Sequence, residues 1–116
     1  IVGSIVFASN TVQTTSVNVD EVTPSSYALL APYPNPFNPS TSFSYNIPSE
    51  GFVSIKIYDL SGRMVNELVS ENQTAGKYSI TWTGVNNIGK PVSSGTYFIQ
   101  MNASGFNSVS KVMFIK

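Results

Sequence analysis

From Thr41 onward, apolar side chains return at every second residue, the period of a strand with one buried face. Phe43, Tyr45 and Ile47 alternate with Ser44 and Asn46. After the turn residues of IPSEG, Val53, Ile55 and Ile57 alternate with Ser54, Lys56 and Tyr58. Asp59-Leu60-Ser61-Gly62 makes the next turn, and Met64–Ser70 reads as a third strand. Thr74-Ala75-Gly76 turns the chain again, and Tyr78, Ile80 and Trp82 then alternate with Ser79 and Thr81. Residues 84–95, rich in Gly and Asn, form a long connection to Tyr97, Ile99 and Met101. A last strand follows Ser104-Gly105 and runs over Ser108–Lys116. No window longer than about ten residues keeps a helical period with caps, so little helix is expected. The spacing predicts an all-β Greek-key sandwich of about six to seven strands.

The chain before Thr41 reads differently. Residues 1–23 are rich in Val, Ile and Thr and carry no charge before Asp20, which predicts a β-prone arm or the end of an upstream domain. Residues 1–9 read as a strand in preference to the end of a signal peptide, since no basic residue precedes the apolar run. Residues 24–40 then hold Pro32, Pro34, Pro36 and Pro39, each fixing its own φ and extending its predecessor, so this stretch is expected to be a stiff connector. The sandwich itself is expected over 41–116.

Composition narrows the chemistry. The 116 residues contain six Lys/Arg, six Asp/Glu, no His and no Cys. Without Cys or His there is no disulfide, no thiolate nucleophile, no imidazole base and no usual zinc ligand set. No catalytic residue, metal site or cofactor is therefore expected. Zero net charge with scattered cations gives no footprint for nucleic acid. No apolar run approaches the roughly 18 residues of a membrane-spanning helix.

Several blocks resemble a known family. Pro34-Asn35-Pro36-Phe37-Asn38-Pro39 before a Ser/Thr-rich strand resembles the opening motif of type A C-terminal sorting domains of the type IX secretion system. Ile57–Val65, containing Asp59, Gly62 and Arg63, is similar to that family's second block. Gly89–Phe98, containing Gly95 and Tyr97, is similar to its third, and the basic terminus with Lys111 and Lys116 also fits. The Trp82, Gly84, Gly89, Gly95, Tyr97 portion is similar to the Ig-like domain of flagellar hook-capping proteins and reports the fold more than the secretion role. The likeness covers about residues 29–116, with Thr83 as a small departure in the Trp-Asp/Asn-Gly step. It implies an Ig-like, non-enzymatic module that addresses an upstream cargo domain to the secretion machinery, on the surface or exterior of a Gram-negative bacterium. Sorting-motif positions on this reading are Pro34, Asn35, Pro36, Asp59, Gly62, Arg63, Gly95, Tyr97, Lys111 and Lys116.

Plainer readings stand beside these. Turn glycines supply positive φ, and Asp59 braces its own turn. Arg63 is either a solvated turn residue or a fork for a partner carboxylate. Lys111 and Lys116 serve either recognition or protection of an edge strand. The Pro-rich block is a staple at the start of the domain or a polyproline ligand. Trp82, Tyr97 and Phe43 fall on the inward parity, while Tyr58 and Phe98 fall on the outward one and suit a contact surface. The arm offers a second functional reading: Ile1, Val2, Ile5, Val6, Phe7, Val12, Val17 and Val19 as a strand-exchange element joining copies into an extracellular filament.

Overall fold

A computed structural model of the chain describes residues 23–116. Among them are seven strands and no helix: β1 Ala28–Leu29, β2 Thr41–Ile47, β3 Gly51–Asp59, β4 Met64–Gln73, β5 Gly76–Trp82, β6 Gly95–Ala103 and β7 Phe106–Phe114. They form two antiparallel sheets, ordered β1-β2-β5 and β4-β3-β6-β7. The sandwich expected from the alternation is present, and its inward parity is the one the sequence indicates. Phe43, Tyr45 and Ile47 of β2 face Val53, Ile55 and Ile57 of β3 and Ile99 and Met101 of β6, all buried.

Two elements go beyond the alternation. Ala28 and Leu29 pair with Asn46 and Tyr45, a two-residue strand too short to show a period. β4 runs on to Gln73 because Gln73 pairs with Gly51. Its register shifts twice against β3, between Ile55 and Lys56 and between Ile57 and Tyr58. Such bulges put two residues opposite one and break the period of two, which is why β4 alternates less cleanly than its neighbours.

The Pro-rich block crosses between the sheets. Tyr33 exchanges backbone hydrogen bonds of 2.8 and 2.9 Å with Ser42 of β2. Four residues later, Phe37 donates to Met113 O at 2.9 Å and accepts from Ile115 N at 3.0 Å, at the end of β7. Phe37 is 1% exposed. Its ring stacks on Phe114 at 4.8 Å and meets Trp82 at 5.4 Å. Trp82 in turn meets Tyr97 edge-on at 5.3 Å. This aromatic cluster closes one end of the sandwich. At the other end Tyr27 stacks on Phe106 at 5.5 Å.

Candidate recognition site

The Asp59 turn is built by its own carboxylate. Asp59 Oδ1 accepts from Ser61 N at 3.0 Å, Ser61 Oγ at 2.7 Å and Arg63 N at 3.0 Å. Arg63 Nε lies 3.4 Å from Asp59 Oδ2, with the guanidinium otherwise in solvent. Gly62 sits in this turn at φ +90°, in the left-handed region where a Cβ is disfavoured. The Ser61 hydroxyl, helped by the Arg63 and Ser61 amides and the Arg63 charge, holds the Asp59 carboxyl below the usual carboxylate range. A depressed folded pKa gives stability that is full above the unfolded value and lost as pH falls through the folded one. The difference in melting temperature between wild type and Asp59→Ala is therefore expected to be present at neutral pH and to close in acid. A gap that stays constant on acidification would refute this role.

Beside the turn lies a cleft of about 500 Å³ lined by residues that include Arg63, Met64, Asn87, Val92 and Tyr97. The 83–94 connection forms its far wall and is tied down by side chains. Trp82 Nε1 donates to Val85 O at 2.9 Å, and Tyr97 Oη donates to Ser93 O at 2.6 Å. Asn86 Oδ1 accepts from Ile88 N at 3.1 Å and Lys90 N at 3.0 Å. Asn87 pairs with the edge of β4, its Oδ1 accepting from Glu67 N at 3.0 Å and its amide donating to Val65 O at 3.2 Å.

An equivalent clamp holds β7. Asn35 Nδ2 donates to Lys111 O at 3.1 Å, and Asn35 Oδ1 accepts from Met113 N at 3.0 Å. The carboxamide imitates a peptide group, so Asn35 and Phe37 together act as a short strand along the outer edge of β7. Thr41, 1% exposed, secures the crossing by donating from Oγ1 to Pro34 O at 2.8 Å. At the chain end, Lys116 N donates to Ser94 Oγ at 3.0 Å.

The structure places the ten motif positions at the end of the sandwich closed by the aromatic cluster. Asn35, between Pro34 and Pro36, bonds Lys111, and Gly95 pairs with Phe114. Asp59 pairs with Tyr97, and Tyr97 with Val112, so one row runs from the Asp59 turn to β7. Asn35 and Lys111 lie along the β7 edge, the Asp59–Arg63 turn joins β3 to the β4 edge, and Gly95 and Tyr97 lie on the central strand β6. Tyr58 and Phe98 are direct partners on its outer face and, with Leu60 and Val109, line a shallow groove of about 300 Å³. Trp82, Tyr97 and Phe43 are core residues. Two contributors were not evident from sequence: Phe37 as a core residue and Asn87 as an edge partner. The alternation begins only at Thr41, and Asn87 lies in a loop whose fold depends on β4. The strand-exchange residues Ile1, Val2, Ile5, Val6, Phe7, Val12, Val17 and Val19 lie outside the described residues. No helix among the described residues is long and apolar enough to cross a membrane.

Comparison with known proteins places the fold. Dimeric latent PorU from Porphyromonas gingivalis matches with a TM-score of 0.60 and 24% identity, over 87% of this chain and 10% of that one. FlgD from P. aeruginosa matches with a TM-score of 0.50 and 27% identity, over 64% of this chain and 59% of that one. PorZ, an essential bacterial surface component of the type-IX secretion system of P. gingivalis, matches with a TM-score of 0.50 and 19% identity, over 78% of this chain and 11% of that one. The chain thus spans about a tenth of PorU and of PorZ and under two thirds of FlgD. None of the curated proteins matches the sequence. The FlgD Ig-like domain model matches residues 39–105, more than half of the chain, so the protein belongs to the FlgD Ig-like domain family.

Proposed function

We propose that this domain is a non-enzymatic sorting module that directs an upstream cargo to the type IX secretion machinery, and so to the cell surface or exterior. The observation that carries the reading is the Asn35 clamp. Two motif blocks 76 residues apart meet through Asn35 Nδ2 and Lys111 O. Pro34, Asn35, Pro36, Lys111 and Lys116 are all exposed, and Asn35 is bonded to Lys111. The order of the sequence blocks supports the type IX assignment, as does the fold shared with PorZ, itself a component of that system. On this reading residues 24–40 lead into the sandwich, and its partners are proteins of the secretion machinery. A sequence without His or Cys lacks the commonest bases and nucleophiles, in keeping with a binding role.

The test uses a reporter carrying residues 1–116 at its C-terminus, expressed in a host with the type IX system. Deleting Ser108–Lys116 is expected to leave the reporter periplasmic, and normal export of the truncation would sink the proposal. Because the deletion also removes Val112 and Phe114 from the core, a second variant separates recognition from folding. Lys111→Ala combined with Lys116→Ala changes only exposed side chains. It is expected to keep the melting temperature and lose most export; full export by this variant would show that the basic pair is not read.

A further inference from the structure

Among the described residues, the outer edge of β7 is closed over only part of its length. In an antiparallel pair, alternate residues turn both backbone groups away from the partner strand. Met113 and the Lys111 carbonyl point away from β6, since they bond Phe37 and Asn35 instead. The β6–β7 register runs without a shift from Gly95↔Phe114 to Ala103↔Phe106. The same parity therefore turns the backbone groups of Val109 and Asn107, and the Lys111 amide, outward. Among the described residues, no hydrogen bond outside the β6–β7 ladder engages Asn107, Val109 or the Lys111 amide. The β4 edge is likewise closed over part of its length, by Asn87 at Val65 and Glu67; what sets the β7 segment apart is a cation, Lys111, beside the exposed Val109.

We propose that Asn107–Lys111 is an acceptor for strand addition, and that its occupant is an extended segment of a partner protein bearing a carboxylate opposite Lys111. An exposed edge offers main-chain hydrogen bonds in sequence-independent fashion, and side chains beside it set the choice of partner. Lys111 is the one charged residue of β7, and it is exposed next to Val109, which is 57% exposed. An acid opposite Lys111 and an apolar residue opposite Val109 complement this pair on the outer face. Asn35 sets the register, because it already occupies the next backbone group along the edge and stops the added strand there.

A second copy of the chain fits less well. Antiparallel self-pairing centred on Val109 would set Asn107 N against Lys111 O, which Asn35 Nδ2 already engages. Parallel self-pairing would bring two Lys111 side chains together, which is repulsive. The acceptor edge does not depend on the secretion reading, since it follows from the backbone geometry of the described residues.

The experiment uses the full chain and two capped nine-residue peptides alternating threonine and valine, one with a central glutamate and one with a central lysine. Hydrogen exchange is followed residue by residue. Saturating glutamate peptide is expected to slow exchange at the Val109 and Lys111 amides at least tenfold while leaving Met113 unchanged. The lysine peptide is expected to bind roughly two- to fivefold more weakly, the scale of one cross-strand charge pair. Lys111→Glu should reverse that preference. Val109→Pro removes the outward amide without touching the β6 ladder, a tolerated edge position for proline, and should abolish the protection. Three results would overturn the proposal. One is unchanged exchange at saturating peptide. Another is equal binding of both peptides. The third is protection of the edge by a concentration-dependent dimer of the chain alone.

Discussion

Phe37→Ala is expected to destabilise the domain by about 3–5 kcal/mol, the cost of truncating a fully buried phenylalanine. Phe37 comes from a proline-rich segment, yet its ring lies between those of Phe114 and Trp82. Truncation leaves a cavity that neither neighbour can readily fill. Trp82 is held through Nε1 by Val85 O, and Phe114 is fixed by pairing with Gly95. The loss also reaches the edge of β7, because the Phe37 backbone bonds Met113 and Ile115. In urea the transition midpoint should fall, and the melting temperature should drop by roughly 15 °C or more for a domain of this size. Tyr33→Ala serves as the control. Its side chain is 81% exposed and its backbone bonds to Ser42 survive the change, so a shift within about 0.5 kcal/mol is expected. Equal, small losses for both variants would show that the proline-rich block lies outside the folded unit.

The contrast between these two residues shows what the sequence made legible. Phe43, Tyr45 and Ile47 announce a strand because each sits two positions from the next, and their parity alone places them inside. Phe37 has no such neighbours. Its burial follows from a crossing between sheets that depends on Ser42 and Met113, partners distant in sequence. The same limit applies to the site. The composition of the Asp59 turn foretells its bracing, since Ser61 and Arg63 lie within four residues of the carboxylate. The Asn35 and Asn87 clamps are long-range, and nothing local distinguishes an asparagine that ends a turn from one that imitates a strand. The family resemblance did single out Asn35, but as a motif position without a mechanism. In the structure Asn35 makes two hydrogen bonds to the edge of β7.

Gly84→Ala should be almost as damaging as the loss of Phe37, for a different reason. Gly84 has φ +71°, a conformation that costs an L-residue roughly 1–2 kcal/mol. A Cβ built there would lie 2.8 Å from Phe114 Cζ and 3.0 Å from Cε2. The ring has little room to retreat, because its other face stacks on Phe37 and it is 6% exposed. Overpacking of this kind adds about 1–3 kcal/mol, so a total loss of about 2–5 kcal/mol is expected by denaturant titration. The two contributions can be separated. Phe114→Leu shortens the ring side chain, and in that background Gly84→Ala should cost at least about 1 kcal/mol less, a coupling expected only between residues in contact. What remains in that background is the backbone term, which no change at Phe114 relieves. If the two substitutions were simply additive, the close approach of residue 84 to β7 would be refuted. The coupling also bears on recognition, since Phe114 lies between Met113 and Ile115, the residues bonded to Phe37. Strain introduced at Gly84 should therefore speed hydrogen exchange at the Met113 amide, which Asn35 otherwise holds, more than at amides of β2 on the opposite sheet.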